Sequence, residues 1–492
     1  VSTMLNRSTT GEHRSTTGEL GPEMRPLVDP GELQPRIVHF GLGAFHRAHQ
    51  AVYTEAAAAR SAQPWGIVAV GPRSAAPVEA ARAQDCLFSV TDRMPGGGRI
   101  RVVGSVLDAL MMRADAERID RLIASPEVTT VTMTVTEKGY SRDPGTGLLN
   151  TADPGVTADL TATAVGDPLP MRTVVGRLTA SLATRFRASG APVNVISCDN
   201  AARNGAALAA VVRGFVEASA WPDRDALLDW LQTSVAFPCT VVDRIVPATT
   251  PEDRAAASKA LGLRDETPVA GEPFRQWVLE DRFAAERPPW ELDGALVVPD
   301  AGPHQLMKLR LLNGSHSILA YLGLAARRDT VADALGSDWG ERAVRRFAAE
   351  VAATLPEAGL DVAGYVDALV ERFGNPAIGH RLRQIGSDGS LKIPERWFPA
   401  LRALRAGGFA TPVLELALAA WVNATRPGGS QVFGTDDPAA EALARCWRGA
   451  AEPAVVARLL TAIGAADLAE DAGLVSAVAD HLPALRAGRI EL

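Results

Sequence analysis

Apolar residues cluster along this chain in two different rhythms. In the first part they form short strand-like runs. Ile37-Val38-His39-Phe40 passes straight into Gly41-Leu42-Gly43, and an alanine-rich helical stretch follows from Gln50 to Arg60. Gly66-Ile67-Val68-Ala69-Val70-Gly71 predicts a second strand, and Val128 to Val135 and Val193 to Ser197 predict two more. Strand, glycine turn, helix, strand is the opening of a βαβ unit, so this part predicts an α/β domain around a mostly parallel sheet. After about residue 295 strand signals nearly vanish and helical periods dominate, as in Glu341 to Ala353 and Pro438 to Arg448. The expected organisation is an α/β Rossmann-type N-terminal domain over 26–297 and a mostly helical C-terminal domain over 298–492. Residues 1–25 are polar and contain a near-duplicate, Arg7-Ser-Thr-Thr-Gly-Glu12 and Arg14-Ser-Thr-Thr-Gly-Glu19, and are expected to be a disordered tail.

Composition narrows the function classes. The 492 residues are 47% hydrophobic and 22% charged, with a formal net charge of -7. That balance suits a soluble globular protein and argues against a nucleic-acid partner, which needs a basic face. Cys86, Cys198, Cys239 and Cys446 lie far apart with no CxxC, so neither a disulfide framework nor a zinc site is expected. No apolar run reaches membrane length and no signal-peptide core stands at the start, so a cytoplasmic setting with no membrane partner is expected. Of 50 basic residues only four are lysines: Lys138, Lys259, Lys308 and Lys392. A desolvated lysine can release its proton and an arginine cannot, which makes these four worth following as titrating groups.

Three places carry candidate chemistry. The Gly41-x-Gly43 turn sits between strand and helix, the context of a dinucleotide fingerprint, although His46 stands where the third glycine belongs. After the second strand comes Gly71-Pro72-Arg73-Ser74 with no acid for an adenosine ribose. Arg73 suits a 2′-phosphate, adenine stacking or plain solvation, so NADP(H) stays open beside NAD(H). His46 and His49 lack a third ligand and are read as structural. The second place is Met307-Lys308 through Asn313-Gly314-Ser315-His316 to Gly323, which reads as one helix despite poor helix formers at its centre. On an α-helical wheel Lys308, His316 and Asn313 fall at roughly 0°, 80° and 140°, on one side. A lysine, a histidine and an amide there suit proton transfer with oxyanion stabilisation. The third place is the pair of strand ends Thr136-Glu137-Lys138-Gly139-Tyr140 and Cys198-Asp199-Asn200, where open α/β sheets bind ligands.

Taken in order, several stretches resemble the polyol-specific long-chain dehydrogenase/reductase (mannitol dehydrogenase) family. They are Gly41 to His49, Thr136 to Tyr140, Ser197 to Asn200, Phe237-Pro-Cys-Thr-Val-Val-Asp243-Arg-Ile-Val-Pro247, Glu272-Pro-Phe-Arg-Gln-Trp277, Lys308 to Gly323 and Asp388-Gly-Ser-Leu-Lys392. The resemblance implies a metal-independent oxidoreductase with its site in the cleft between a Rossmann-type and a helical domain. It implies Lys308 as general acid/base, Asn200 and Asn313 as amides on the reacting oxygen, His316 beside the reacting hydroxyl, and Glu137 assisting proton passage. It also implies Lys392 at the substrate and Asp243 shaping the site from behind. Gly41, Leu42, Gly43, Ala44 and Phe45 match the cofactor segment, with NAD(H) as the expected cofactor; Arg73 is a further cofactor-binding candidate by position, although Gly71-Pro72-Arg73-Ser74 matches neither the mannitol nor the fructuronate subgroup cleanly. Lys138 stands where mannitol dehydrogenases tend to have glycine, and Arg383-Gln384 where they carry an arginine before Asp-Gly-Ser. The wording is nearer the fructuronate-reducing subgroup, so the expected substrate pair is D-fructuronate and D-mannonate, read by Lys138, Lys392 and Arg383. The alternative is a mannitol 2-dehydrogenase or another polyol dehydrogenase. The oligomeric state is not legible.

Overall fold

The computed structural model describes residues 3–10, 20–164 and 171–492. The chain divides into two compact units, Val1–Ala301 and Gly302–Leu492.

The first unit is built on a six-stranded sheet. Its strands are β1 (Gln34–Phe40), β2 (Trp65–Gly71), β5 (Val106–Met111), β6 (Thr130–Met133), β7 (Val193–Ser197) and β8 (Val235–Ala236). They lie in the order β5-β2-β1-β6-β7-β8, and every neighbouring pair is parallel. Counted within this sheet alone the order is that of a doubly wound dinucleotide-binding fold, with its reversal between β1 and β6. Alternate residues explain the continuous apolar runs. Val38, Phe40, Val68, Val70, Val131 and Met133 enter one core, while Ile37, Ile67, Ala69 and Ile196 enter a second on the opposite face. Both faces are covered, so no alternation with polar residues is needed.

Two three-stranded sheets complete the unit. One joins β3 (Phe88–Met94), β4 (Gly97–Val103) and β10 (Val269–Gly271), and the other joins β9 (Thr240–Asp243), β11 (Gln276–Glu280) and β12 (Leu296–Val298). Neither was expected from the apolar pattern. Part of the segment read as a disordered tail also packs. Leu5 and Leu20 are buried with Leu87, Val102 and Leu261, and Met4 bridges to Arg264. Two leucines and a backbone bridge suffice to hold a short polar segment. The duplicate Arg14 to Glu19 lies outside the described residues.

The second unit is helical around one core that includes Leu311, Ile318, Leu322, Phe347, Trp397 and Trp421. The stretch expected to be one α-helix is instead three pieces. An α-helix Gly302–Met307 leads into a π-helical turn Lys308–Asn313, and an α-helix Gly314–Ala325 follows. The i→i+5 closure widens the backbone there, and such turns recur at functional sites. The α-wheel angles therefore do not apply across it. Gly314 has a packing reason as well: a Cβ there would lie 2.7 Å from Phe347 Cζ.

Candidate active site

In the first unit the carboxyl ends of β1, β6 and β7 meet at the reversal of strand order. Gly41 leaves β1 with φ +124°, and a Cβ there would lie 2.4 Å from the carbonyl oxygen of Thr134. Only glycine fits both the dihedral and the space. Gly41 N donates to Val70 O at 2.8 Å, which ties the turn to the end of β2. Gly43 is exposed, and nothing lies within 4 Å of where its Cβ would stand. Leu42, Ala44 and Phe45 flank it half-buried. A tight turn followed by an uncluttered glycine is the shape a dinucleotide pyrophosphate requires, so these residues fit that group.

Three histidines hold the turn from below. His39 places Nδ1 2.7 Å from Thr132 Oγ1 and Nε2 2.8 Å from Thr134 Oγ1. His46 stacks on it with ring centroids 3.5 Å apart, and neither nitrogen of His46 has a partner. His49 Nε2 donates to Gln276 O at 2.8 Å. Burial pushes His46 and His49 down to about 3, and pushes His39 well below the usual histidine range. All three are therefore neutral, and His46 and His49 sit as the structural residues their lack of a third ligand suggested.

Asp199 then joins β6 to β7. Its carboxylate accepts from Val135 N at 3.1 Å, Thr136 N at 2.9 Å and the Tyr140 hydroxyl at 2.9 Å. Tyr140 also bonds Ser197 Oγ. This clamp holds Thr136 at φ +68° and fixes the turn Glu137–Tyr140 beside Asn200. Glu137, Lys138 and Asn200 are all exposed there. Burial pushes the Asp199 carboxyl up, against the pull of its N–H donors. Arg73 is exposed just past the end of β2. Asp243 ends β9 on a different sheet and is 5% exposed. Its negative charge acts on His49, which lies under the glycine turn.

In the second unit Lys308 opens the π-turn and is 8% exposed, and Asn313 closes it. His316 follows on the next turn. Its Nε2 is buried without a partner, and its ring packs on Phe373 at 4.4 Å and edge-on to His380 at 5.3 Å. Burial, then His380, Arg372 and Arg396, hold His316 well below the usual histidine range, so it is neutral. Lys392 donates to Ser387 O at 2.7 Å and Ile385 O at 3.2 Å, and its charge acts on His380. Burial and Arg396 lower it from the usual lysine range. Arg383 is exposed on the short helix Leu382–Gly386. The structure thus brings Lys308, Asn313 and His316 onto one helical run. Lys392 joins them through His380, and Arg383 stays at the surface.

Sequence reasoning missed three supporting groups. Asp199 was named only as part of the strand-end cluster Cys198-Asp199-Asn200, with no clamping role. His380 and Arg396 were not singled out. Arg396 donates to Asn313 O at 3.3 Å and Ser317 Oγ at 2.8 Å. Its spacing of four from Lys392 on one helix was the available signal. Among the described residues no group of three or more His, Cys, Asp or Glu is placed to hold a metal ion, and no helix is long and apolar enough to cross a membrane.

Comparison with known proteins decides the family. Residues 35–292 match the model of the mannitol dehydrogenase Rossmann domain, and residues 300–486 match that of the mannitol dehydrogenase C-terminal domain. The chain belongs to the mannitol dehydrogenase family. It is 38% identical over 413 residues to the D-mannonate oxidoreductase of Escherichia coli (strain K12), covering 82% of this chain and 83% of that relative. It is 36% identical over 417 residues to a mannitol 2-dehydrogenase of Pyrenophora tritici-repentis, covering 83% of this chain and 72% of the relative. The solved Pseudomonas fluorescens mannitol 2-dehydrogenase, a ternary complex with NAD and D-mannitol, matches with TM-score 0.77 and 33% identity. That match covers 98% of this chain and 97% of the other. This mannitol dehydrogenase family member is therefore an oxidoreductase with a Rossmann-type first unit and a helical second unit.

Proposed function

We propose that this protein transfers hydride between NAD(H) and a hexuronate/hexonate pair, most simply D-fructuronate and D-mannonate, with no metal ion. The observation that carries the reading is the π-turn with buried Lys308 at its start, Asn313 at its end and the unpartnered Nε2 of His316 one turn on. The nicotinamide of a dinucleotide held at Gly41–Phe45 supplies or accepts the hydride. In the direction of oxidation Lys308 takes the hydroxyl proton as hydride leaves carbon, and in reduction it returns it. Asn313 and Asn200 donate to the oxygen whose charge grows in the transition state. Neutral His316 orients that oxygen, and Glu137 passes the proton on. A free lysine titrates at about 10.4, too high for a good base at neutral pH, and burial disfavours the charged form of any lysine.

Lys138 supports an acid substrate. It is exposed on the turn that Asp199 pins beside Asn200, where a cation can meet a carboxylate. Lys392 and Arg383 are the further carboxylate contacts we propose. A neutral polyol pair, D-mannitol and D-fructose, is the second reading. It is favoured by the near full-length match to the Pseudomonas fluorescens enzyme, whose complex holds D-mannitol.

Lys308→Ala tests the mechanism. The variant should lose about a thousandfold or more in kcat, within the range expected for a general acid/base, and keep its dinucleotide affinity. A loss under tenfold would remove Lys308 from the proton transfer.

A further inference from the structure

In a doubly wound sheet the end of the second strand meets the adenosine ribose. An acid there binds a 2′-hydroxyl, and an arginine nearby accommodates a 2′-phosphate. In this chain the segment is Gly71-Pro72-Arg73-Ser74, with no acid. Arg73 and Ser74 are exposed, and the Ser74 hydroxyl makes no bond to the helix Ala75–Ala83 that it precedes. The neighbouring strand β5 adds a second cation. Gly71 pairs with Met111, and Met112 N donates to Gly71 O at 3.1 Å. Two residues past that pair on each strand stand Arg73 and Arg113, both exposed. Among the described residues neither side chain has a hydrogen bond or ion pair.

The acids of this corner are already engaged. Asp115 accepts from Met111 N at 2.7 Å and pairs with Arg82 at 3.1 Å. Asp108 pairs with Arg118 at 2.6 Å and Arg82 at 3.6 Å. Two uncommitted guanidiniums and a free hydroxyl therefore stand at one edge of the glycine turn, with no unpaired carboxylate from β2 or β5 opposing an anion. We infer that Arg73, Ser74 and Arg113 form a 2′-phosphate subsite, so that the protein binds NADP(H) at least as tightly as NAD(H). The inference rests on the dinucleotide reading above and concerns only its adenosine end.

The test is a pair of equilibrium titrations followed by nicotinamide fluorescence, one with NADPH and one with NADH. Calorimetry with adenosine 2′,5′-bisphosphate and with 5′-AMP isolates the adenosine end from any turnover. The bisphosphate should bind more tightly than 5′-AMP, and NADPH no more weakly than NADH. Arg73→Ala should weaken NADPH about tenfold or more, as loss of a charge-assisted phosphate contact does, and leave NADH within about twofold. NADH binding more tightly than NADPH would overturn the inference and leave the dinucleotide reading intact. So would an equal loss for both in Arg73→Ala, because the arginine would then be stacking on adenine. Binding of neither dinucleotide would overturn both readings.

Discussion

Acid should weaken this protein steeply through the histidines under the glycine turn. In an unfolded chain His46 and His49 take up a proton near pH 6.5, roughly the free value. In the folded chain burial holds both down at about 3. Protonating His46 would also set a cation face to face with His39 at 3.5 Å. The stabilisation is thus fully present above about pH 6.5 and is lost as the pH falls from there toward the folded values. Between pH 7 and pH 5 each ring costs about 2 kcal/mol, so the two together remove about 4 kcal/mol. That is a large share of a typical domain stability of about 5–15 kcal/mol. His39 and His316 act in the same direction. Urea unfolding followed by tryptophan fluorescence at pH 7, 6 and 5 measures the slope. His46→Phe keeps a ring in the stack but cannot protonate, and should remove about 2 kcal/mol of the pH 7 to pH 5 loss, one histidine's share. Stability flat within about 0.5 kcal/mol from pH 7 to pH 5, or an unchanged slope in His46→Phe, would refute the reasoning.

The two glycines of the turn should separate stability from binding. Gly41→Ala meets φ +124° and the Thr134 carbonyl, so it should cost about 3 kcal/mol in urea unfolding. Gly43→Ala meets nothing within 4 Å, so it should leave unfolding unchanged and weaken NADH in a fluorescence titration. Asp199→Asn replaces a carboxylate oxygen by an amide beside Val135 N, Thr136 N and Tyr140, and should lower kcat about tenfold with a Tm loss of only a few degrees, measured by initial rates and a thermal melt. EDTA should leave the steady-state rate unchanged, and a loss restored by a divalent cation would contradict the metal-independent mechanism.

What was legible in the sequence follows physical lines. The strands β1, β2, β6 and β7 stood out because residues such as Val38 and Ile37 are buried on opposite faces, which leaves an unbroken apolar run. The hairpin of β3 and β4 did not, because Thr91-Asp92-Arg93 and Gly97-Gly98-Arg99 carry charge and glycine where an apolar pattern was sought. Lys308, Asn313 and His316 were found as a cluster, since poor helix formers inside a helix signal close packing or function. The π-turn was not, because i→i+5 closure uses the same residues as an α-helix. The clamping role of Asp199 was missed because its donors, Val135 and Thr136, lie more than sixty residues away along the chain. A lone acid at a strand end looks locally like any turn residue. The tail was misread in part because two leucines among polar neighbours give no periodicity, though Leu5 and Leu20 are both buried.

The most direct test of the central claim is kcat/KM for NADH oxidation at neutral pH with D-fructuronate and with D-fructose, side by side. The account predicts that D-fructuronate is favoured by about tenfold or more, the worth of one charge-assisted contact to its carboxylate. Equal or better turnover of D-fructose would contradict it, and would make the protein a polyol dehydrogenase in which Lys138 reads no acid.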